Sequence, residues 1–208
     1  MNLVCYQSHS NFKDAAKQAW TCCWALLVMP VFLLKIKADL ENIAELTPQF
    51  ENLWKFNIAS QDGEERLGIT VSKADVLELH GSKGDANYVM KWHKADSHQA
   101  YIKLVDVKKV DGTYKVSDSG KWVTILGLEC RGLVPTAWIP GSTTFLFSSM
   151  SFLQLNRLFA TGVDFHAKSV GKTGTVFESI DLSDKEWTEY DEEGDLSVSV
   201  MELEYKIE

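Results

Sequence analysis

The stretch Trp122-Val-Thr-Ile-Leu-Gly-Leu-Glu-Cys-Arg-Gly-Leu-Val-Pro135 constrains the fold more than any other part of the chain. In an extended backbone, Leu126, Leu128 and Cys130 fall on one face, and Val123 and Ile125 on the other. Apolar residues on both faces indicate a strand covered on both sides, hence a central one. Arg131-Gly132 and then Pro135 are expected to end it, because Gly permits positive φ and Pro cannot donate to a ladder.

Shorter alternating segments surround this strand. Leu34, Ile36, Ala38 and Leu40 alternate with Lys35, Lys37 and Asp39, the pattern of a half-buried strand. Glu41–Pro48 reads as a turn or short loop, Leu53–Ile58 as a second strand, and Asp62-Gly63 as a hairpin turn. Leu67–Val71, Val76–Leu79, Tyr88–Trp92 and Tyr101–Val107 read as strands, and Trp138-Ile139-Pro140 as the start of a new segment. Phe177–Leu182 resumes the strand pattern. Ser183–Trp187 reads as a helical turn capped by Ser183, with Glu186 three residues on. The chain closes on Met201, Leu203, Tyr205 and Ile207 alternating with Glu202, Glu204 and Lys206. The predicted class is mainly β: antiparallel sandwich or barrel-like sheets with few short helical turns.

Two stretches stand apart. Trp20–Leu34 is an uncharged run of 15 residues following Lys13 and Lys17. It is short of the ~20 apolar residues a membrane-spanning helix needs. Residues 1–28 read as an appended leader outside the fold, with 29–208 as the β domain. The alternatives are a signal or membrane anchor carried by residues 20–34, and a helix packed on the domain. Residues 142–156 carry no charge and hold neither strand nor helix period, so an insertion is expected at about 142–160.

The chemistry is sparse. Nine acids against the single base Lys185 lie between residues 178 and 195, an excess equal to the net charge of −8. That balance argues against nucleic-acid binding, which needs clustered Lys and Arg. Cysteines at 5, 22, 23 and 130 form no disulfide framework, so a reducing compartment is expected. Cys130, among apolar neighbours, reads as an inert buried thiol. His93 and His98 share a polar stretch with Asp96, but one such cluster falls short of the paired ligands of a zinc site. Val170-Gly-Lys-Thr173 matches only the end of a phosphate-binding loop, since His166 stands where the first Gly is required.

Four ordered blocks carry a resemblance: Lys35–Ile43, Gly81–Val89, Glu129–Leu133 with Pro135, and Asp184–Glu192. In these the chain resembles the eukaryotic CXXC-motif-containing zinc-binding proteins, from Met29 to the C-terminus apart from the insertion. The resemblance implies an antiparallel β fold, a small soluble intracellular protein and no known catalysis. It also implies two CxxC pairs holding a zinc ion. At the matching positions this chain has Ala59-Ser60-Gln61-Asp62 and Trp92-His93-Lys94-Ala95. All four thiols are missing at Ala59, Asp62, Trp92 and Ala95, so no metal and no cofactor is expected. The expected protein is a non-enzymatic monomer, cytoplasmic or both cytoplasmic and nuclear, that contacts a protein partner and neither nucleic acid nor membrane. Trp187, Tyr190, Asp191 and Glu192 are the candidate contact residues, because aromatics within a charged rim suit recognition.

Overall fold

The computed structural model describes residues 30–49, 53–81, 83–107, 112–140, 165–172 and 174–208. Val31–Glu208 form one compact unit. Strands β1 (Val31–Glu41), β8 (Ala100–Val105), β10 (Val123–Arg131) and β15 (Leu196–Ile207) build the middle of a six-stranded antiparallel sheet. The hairpin strand β14 (Trp187–Asp191) closes one edge and β7 (Tyr88–Met90) the other. β10 lies between β1 and β8, the interior place that its two apolar faces predicted. Gly127 in its middle is required by close approach: a Cβ there would stand 2.7 Å from Val107 Cγ2 and 2.9 Å from Val105 O.

A second sheet orders β11 (Val134–Ile139), β3 (Leu53–Ala59) and β4 (Glu65–Ser72). A third orders β13 (Val176–Ile180), β12 (Phe165–Ser169), β2 (Ile43–Pro48) and β9 (Tyr114–Lys115). The short strands β5 (Leu77–Glu78) and β6 (Asp85–Ala86) pair with each other. The curled antiparallel sheets share one core. At its centre Trp138 of β11 packs against Trp54 of β3, Phe165 of β12 and Tyr205 of β15, with ring centroids 6.2, 6.5 and 5.4 Å away. That aromatic knot joins all three larger sheets.

Several expectations are corrected. Glu41–Pro48 is not a loop. Asn42 turns the chain at φ 55°, and β2 follows at once in the neighbouring sheet, with Ile43 and Leu46 buried. Pro135 does not end the central segment but lies buried inside β11. β11 is an edge strand whose pairing with β3 slips between Pro135 and Ala137, and such a site tolerates a missing N–H. Ser183–Trp187 is a turn, not a helical one: Lys185 has φ 66° and Trp187 already starts β14. Among the described residues the one helical turn is the 3₁₀ segment Val116–Asp118. In β15, Glu202 sits at φ 52° beside a slip in the pairing with β1, so Met201 is turned outward while Leu203 is buried. The leader 1–28 and the insertion at about 142–160 lie outside the described residues. The uncharged run 20–34 does end within them, and its last four residues, Val31–Leu34, belong to β1.

Candidate functional site: two facing hairpins and an acidic edge strand

The β3–β4 hairpin turns at Ser60–Glu64. Ser60 N–H donates to Glu64 O at 2.7 Å, and its hydroxyl accepts from the amides of Asp62 and Glu64 at 3.1 and 3.0 Å. Gly63 takes φ 88°, as the Asp-Gly turn required. The segment after β7 turns on Asp96, which accepts from His93 N–H through its carboxylate at 2.8 Å and from Lys91 Nζ through its carbonyl at 2.7 Å.

Arg66 of β4 joins the two turns. Its Nη2 donates to Lys91 O at 3.1 Å and to Trp92 O at 3.3 Å. Its guanidinium carbon stands 5.4 Å from the centroid of the Trp92 ring. Trp92 Nε1 in turn donates to Gly132 O at 2.8 Å, in the turn between β10 and β11. Two residues further on, Val134 pairs with Ala59. His93 Nε2 lies 3.6 Å from Glu64 Oε1, an ion pair whenever the imidazole is protonated. The two segments named from the sequence, 59–62 and 92–95, are therefore neighbours. Trp92 was singled out from the sequence. Gly132 was read only as the end of a strand, and Arg66 and Glu64 were not marked, because no local pattern marks an arginine whose partners are backbone carbonyls 25 and 26 residues away.

Donor chemistry decides whether a metal ion fits between these hairpins. Ala59 and Ala95 carry no donor atom. Trp92 offers an N–H, which donates and cannot ligate, and it is already given to Gly132. Asp62 is exposed and stands alone among the four. No group of three or more His, Cys, Asp or Glu side chains among the described residues gathers around a common point. A closed structural zinc site needs four protein ligands drawn from Cys, His, Asp or Glu. The residues present do not fit one.

The acidic segment lies at the far edge of the six-stranded sheet. On β14, Thr188, Glu189 and Tyr190 are exposed, and Tyr190 keeps 52% of its surface in solvent. Its hydroxyl donates to Asp195, a bond that pushes the phenol pKa up. Trp187 is half-buried, its ring edge-on to Phe177 at 5.3 Å. Glu192 is exposed. Asp191 faces inward, 1% exposed, and accepts from Thr175 Oγ1 at 2.8 Å and Gly194 N–H at 3.0 Å. The neighbouring Ser169 hydroxyl and these donors hold its carboxyl below the usual range. Asp191 thus ties the loop after β12 to the β14–β15 turn, while Tyr190 and Glu192 face outward. The 170–172 turn joins two strands with no helix following, so the incomplete phosphate-loop motif has no helix N-terminus behind it.

The family of CXXC motif containing zinc binding proteins, eukaryotic, matches residues 33–156 and 153–208. The chain belongs to this family. The CXXC motif containing zinc binding protein of Xenopus laevis is 30% identical over 183 residues, covering 86% of this chain and 98% of that protein. The Bos taurus protein of the same name is 29% identical over 176 residues, covering 83% and 94%. A solved structure of a hypothetical protein from Plasmodium falciparum superposes with a TM-score of 0.71 at 27% identity, covering 86% of this chain and all of that one. The two family segments meet at residues 153–156, within the stretch where the sequence loses its strand period.

Proposed function

We propose that this protein is a metal-free, non-enzymatic, intracellular member of the family that works by contacting another protein. The observation that carries this reading is the edge position of β14 among the described strands. An edge strand presents unpaired backbone groups to an added strand, and Tyr190 supplies an exposed aromatic beside them. Glu186, Glu189, Glu192 and Glu193 are all exposed around it, so the fitting partner is an extended segment rich in Lys and Arg. The same charges repel a second copy of β14, which supports a monomer.

Two further observations favour contact over catalysis. A groove lined by Thr47, Trp54, Lys73, Asp106, Ile125 and Gly127 holds neither His nor Cys, and Lys73 is paired with Asp106 at 2.8 Å. Cys130 is fully buried, and burial pushes its thiol up to about 12. No described helix is long and apolar enough to cross a membrane.

The test is a binding comparison. Partners captured by the full chain are titrated against the wild type, Tyr190→Ala and the double variant Glu189→Lys/Glu192→Lys. The reading predicts at least tenfold weaker binding for the charge-reversed variant and a strong dependence on salt. Equal affinity for all three, or salt-independent binding, would overturn it.

A further inference from the structure

The structure points to a replacement for the metal its relatives are named for, and we propose that Arg66, clamped on Trp92, fulfils that role. The proposal rests on the metal-free reading above and adds the residues that make it possible. A zinc ion between two hairpins does two things: it fixes their separation, and it supplies folding free energy that the hairpins lack alone. Arg66 and Trp92 do both with ordinary side chains.

The geometry is specific. A guanidinium is planar, carries five donors and stacks on aromatic faces, so it can bind a ring and two carbonyls at once. Arg66 does so, with Nη2 shared between Lys91 O and Trp92 O and the guanidinium carbon over the indole. The indole is fixed from its other side by the bond to Gly132 O at 2.8 Å. The clamp therefore ties three turns together: 60–64, 91–96 and 132–133. Trp92 stands at one of the four positions where the family resemblance implies a thiolate, so the substitution that abolishes a ligand also installs the ring on which Arg66 rests. A β-bulge helps aim Arg66. The β3–β4 pairing slips between Phe56 and Ile58, and Gly68 at φ 64° gives its N–H to Asn57 Oδ1 at 2.9 Å. Bulges re-aim neighbouring side chains in this way.

The experiment compares the full chain with Arg66→Ala, Arg66→Lys and Trp92→Phe. Each is measured by thermal unfolding with and without excess EDTA, and by amide hydrogen exchange at residues 91–96. The proposal expects no shift with EDTA for any protein. It expects Arg66→Ala to lower the unfolding midpoint by about 2–4 °C and to speed exchange at 91–96 by roughly tenfold. Arg66→Lys should fall towards Arg66→Ala, because an ammonium lacks the flat guanidinium face that stacks on the indole. Trp92→Phe should fall between, keeping the stacking and losing the bond to Gly132. A midpoint that drops with EDTA in the wild type overturns both the metal-free reading and the clamp. EDTA insensitivity with unchanged exchange in Arg66→Ala overturns the clamp alone.

Discussion

The Tyr114 hydroxyl is the hydrogen-bond partner of Ala38. It accepts from Ala38 N–H at 3.2 Å and lies 2.8 Å from Ala38 O, with Asp118 O at 2.7 Å and Lys121 O at 3.1 Å. Ala38 falls where the β1–β15 pairing slips between Lys37 and Asp39; its O also accepts from Gly120 N–H at 3.0 Å, so its N–H is the group that depends on the hydroxyl. Tyr114 is fully buried. Tyr114→Phe removes the hydroxyl and keeps the ring. It should cost about 1–3 kcal/mol, the penalty for buried polar groups left unpaired. Urea unfolding checks this, and an unchanged midpoint would show that the N–H does not depend on the hydroxyl.

Trp138 is 1% exposed and touches aromatic rings from all three larger sheets. Trp138→Ala should cost about 3–5 kcal/mol, as large core truncations do. Its Nε1 is buried without a hydrogen-bond partner. Trp138→Phe removes that unpaired donor along with part of the ring, so the two effects oppose. It should cost less than half as much as Trp138→Ala. Equal losses for the two variants would contradict this, because a phenyl ring filling part of the same space would then recover nothing.

The Cys130 thiol is completely buried, and burial, with a smaller contribution from Glu129, raises its pKa to about 12. Ionisation is thus favoured in the unfolded chain, where the proton leaves near pH 9. The folded form keeps its proton, so stability attributable to this group falls as pH rises from about 9 towards 12. Cys130→Ala should lose that alkaline dependence. Mass-mapped alkylation should leave Cys130 unmodified in the native protein at pH 8 and label it fully in urea.

Glu208 closes the sheet on β1. Its backbone exchanges hydrogen bonds with Leu33 at 2.7 and 3.1 Å. Its carboxylate pairs with Lys206 and with Lys35, the latter at 2.5 Å. Lys206 and then Lys35 lower its pKa to about 2. A lowered carboxylate contributes stability above the unfolded pKa, near 4.3, and loses it as pH falls towards 2. Glu208→Gln should therefore be less stable than wild type at pH 6. The difference should shrink below pH 4 and close near pH 2, as followed by thermal unfolding across that range. Because the pair is exposed, added salt should also narrow it.

The sequence revealed the strands that alternate. β1 buries Leu34, Ile36 and Ala38 at every second place, and β3 does the same with Trp54, Phe56 and Ile58. β2 escaped because its buried residues, Ile43 and Leu46, are three apart and the bend at Asn42 leaves no Gly or Pro to mark it. The slip at Glu202 was hidden for a related reason: perfect alternation continues through it in sequence, while the backbone changes faces. Proline reads as a breaker locally, yet Pro135 is harmless on an edge strand, and edges are set by topology. At the candidate site, the loss of ligand atoms was legible residue by residue. What replaced them was not, since Arg66 acts on backbone carbonyls and a ring that only the folded chain brings near.

Everything about the candidate site turns on whether the hairpins 59–65 and 91–96 are held by side chains or by a metal. Elemental analysis of the purified full chain, without added metal and after gel filtration, asks this directly. The account predicts far less than one zinc per chain in protein that is folded by circular dichroism. One zinc per chain, retained through gel filtration and released with unfolding, would contradict it.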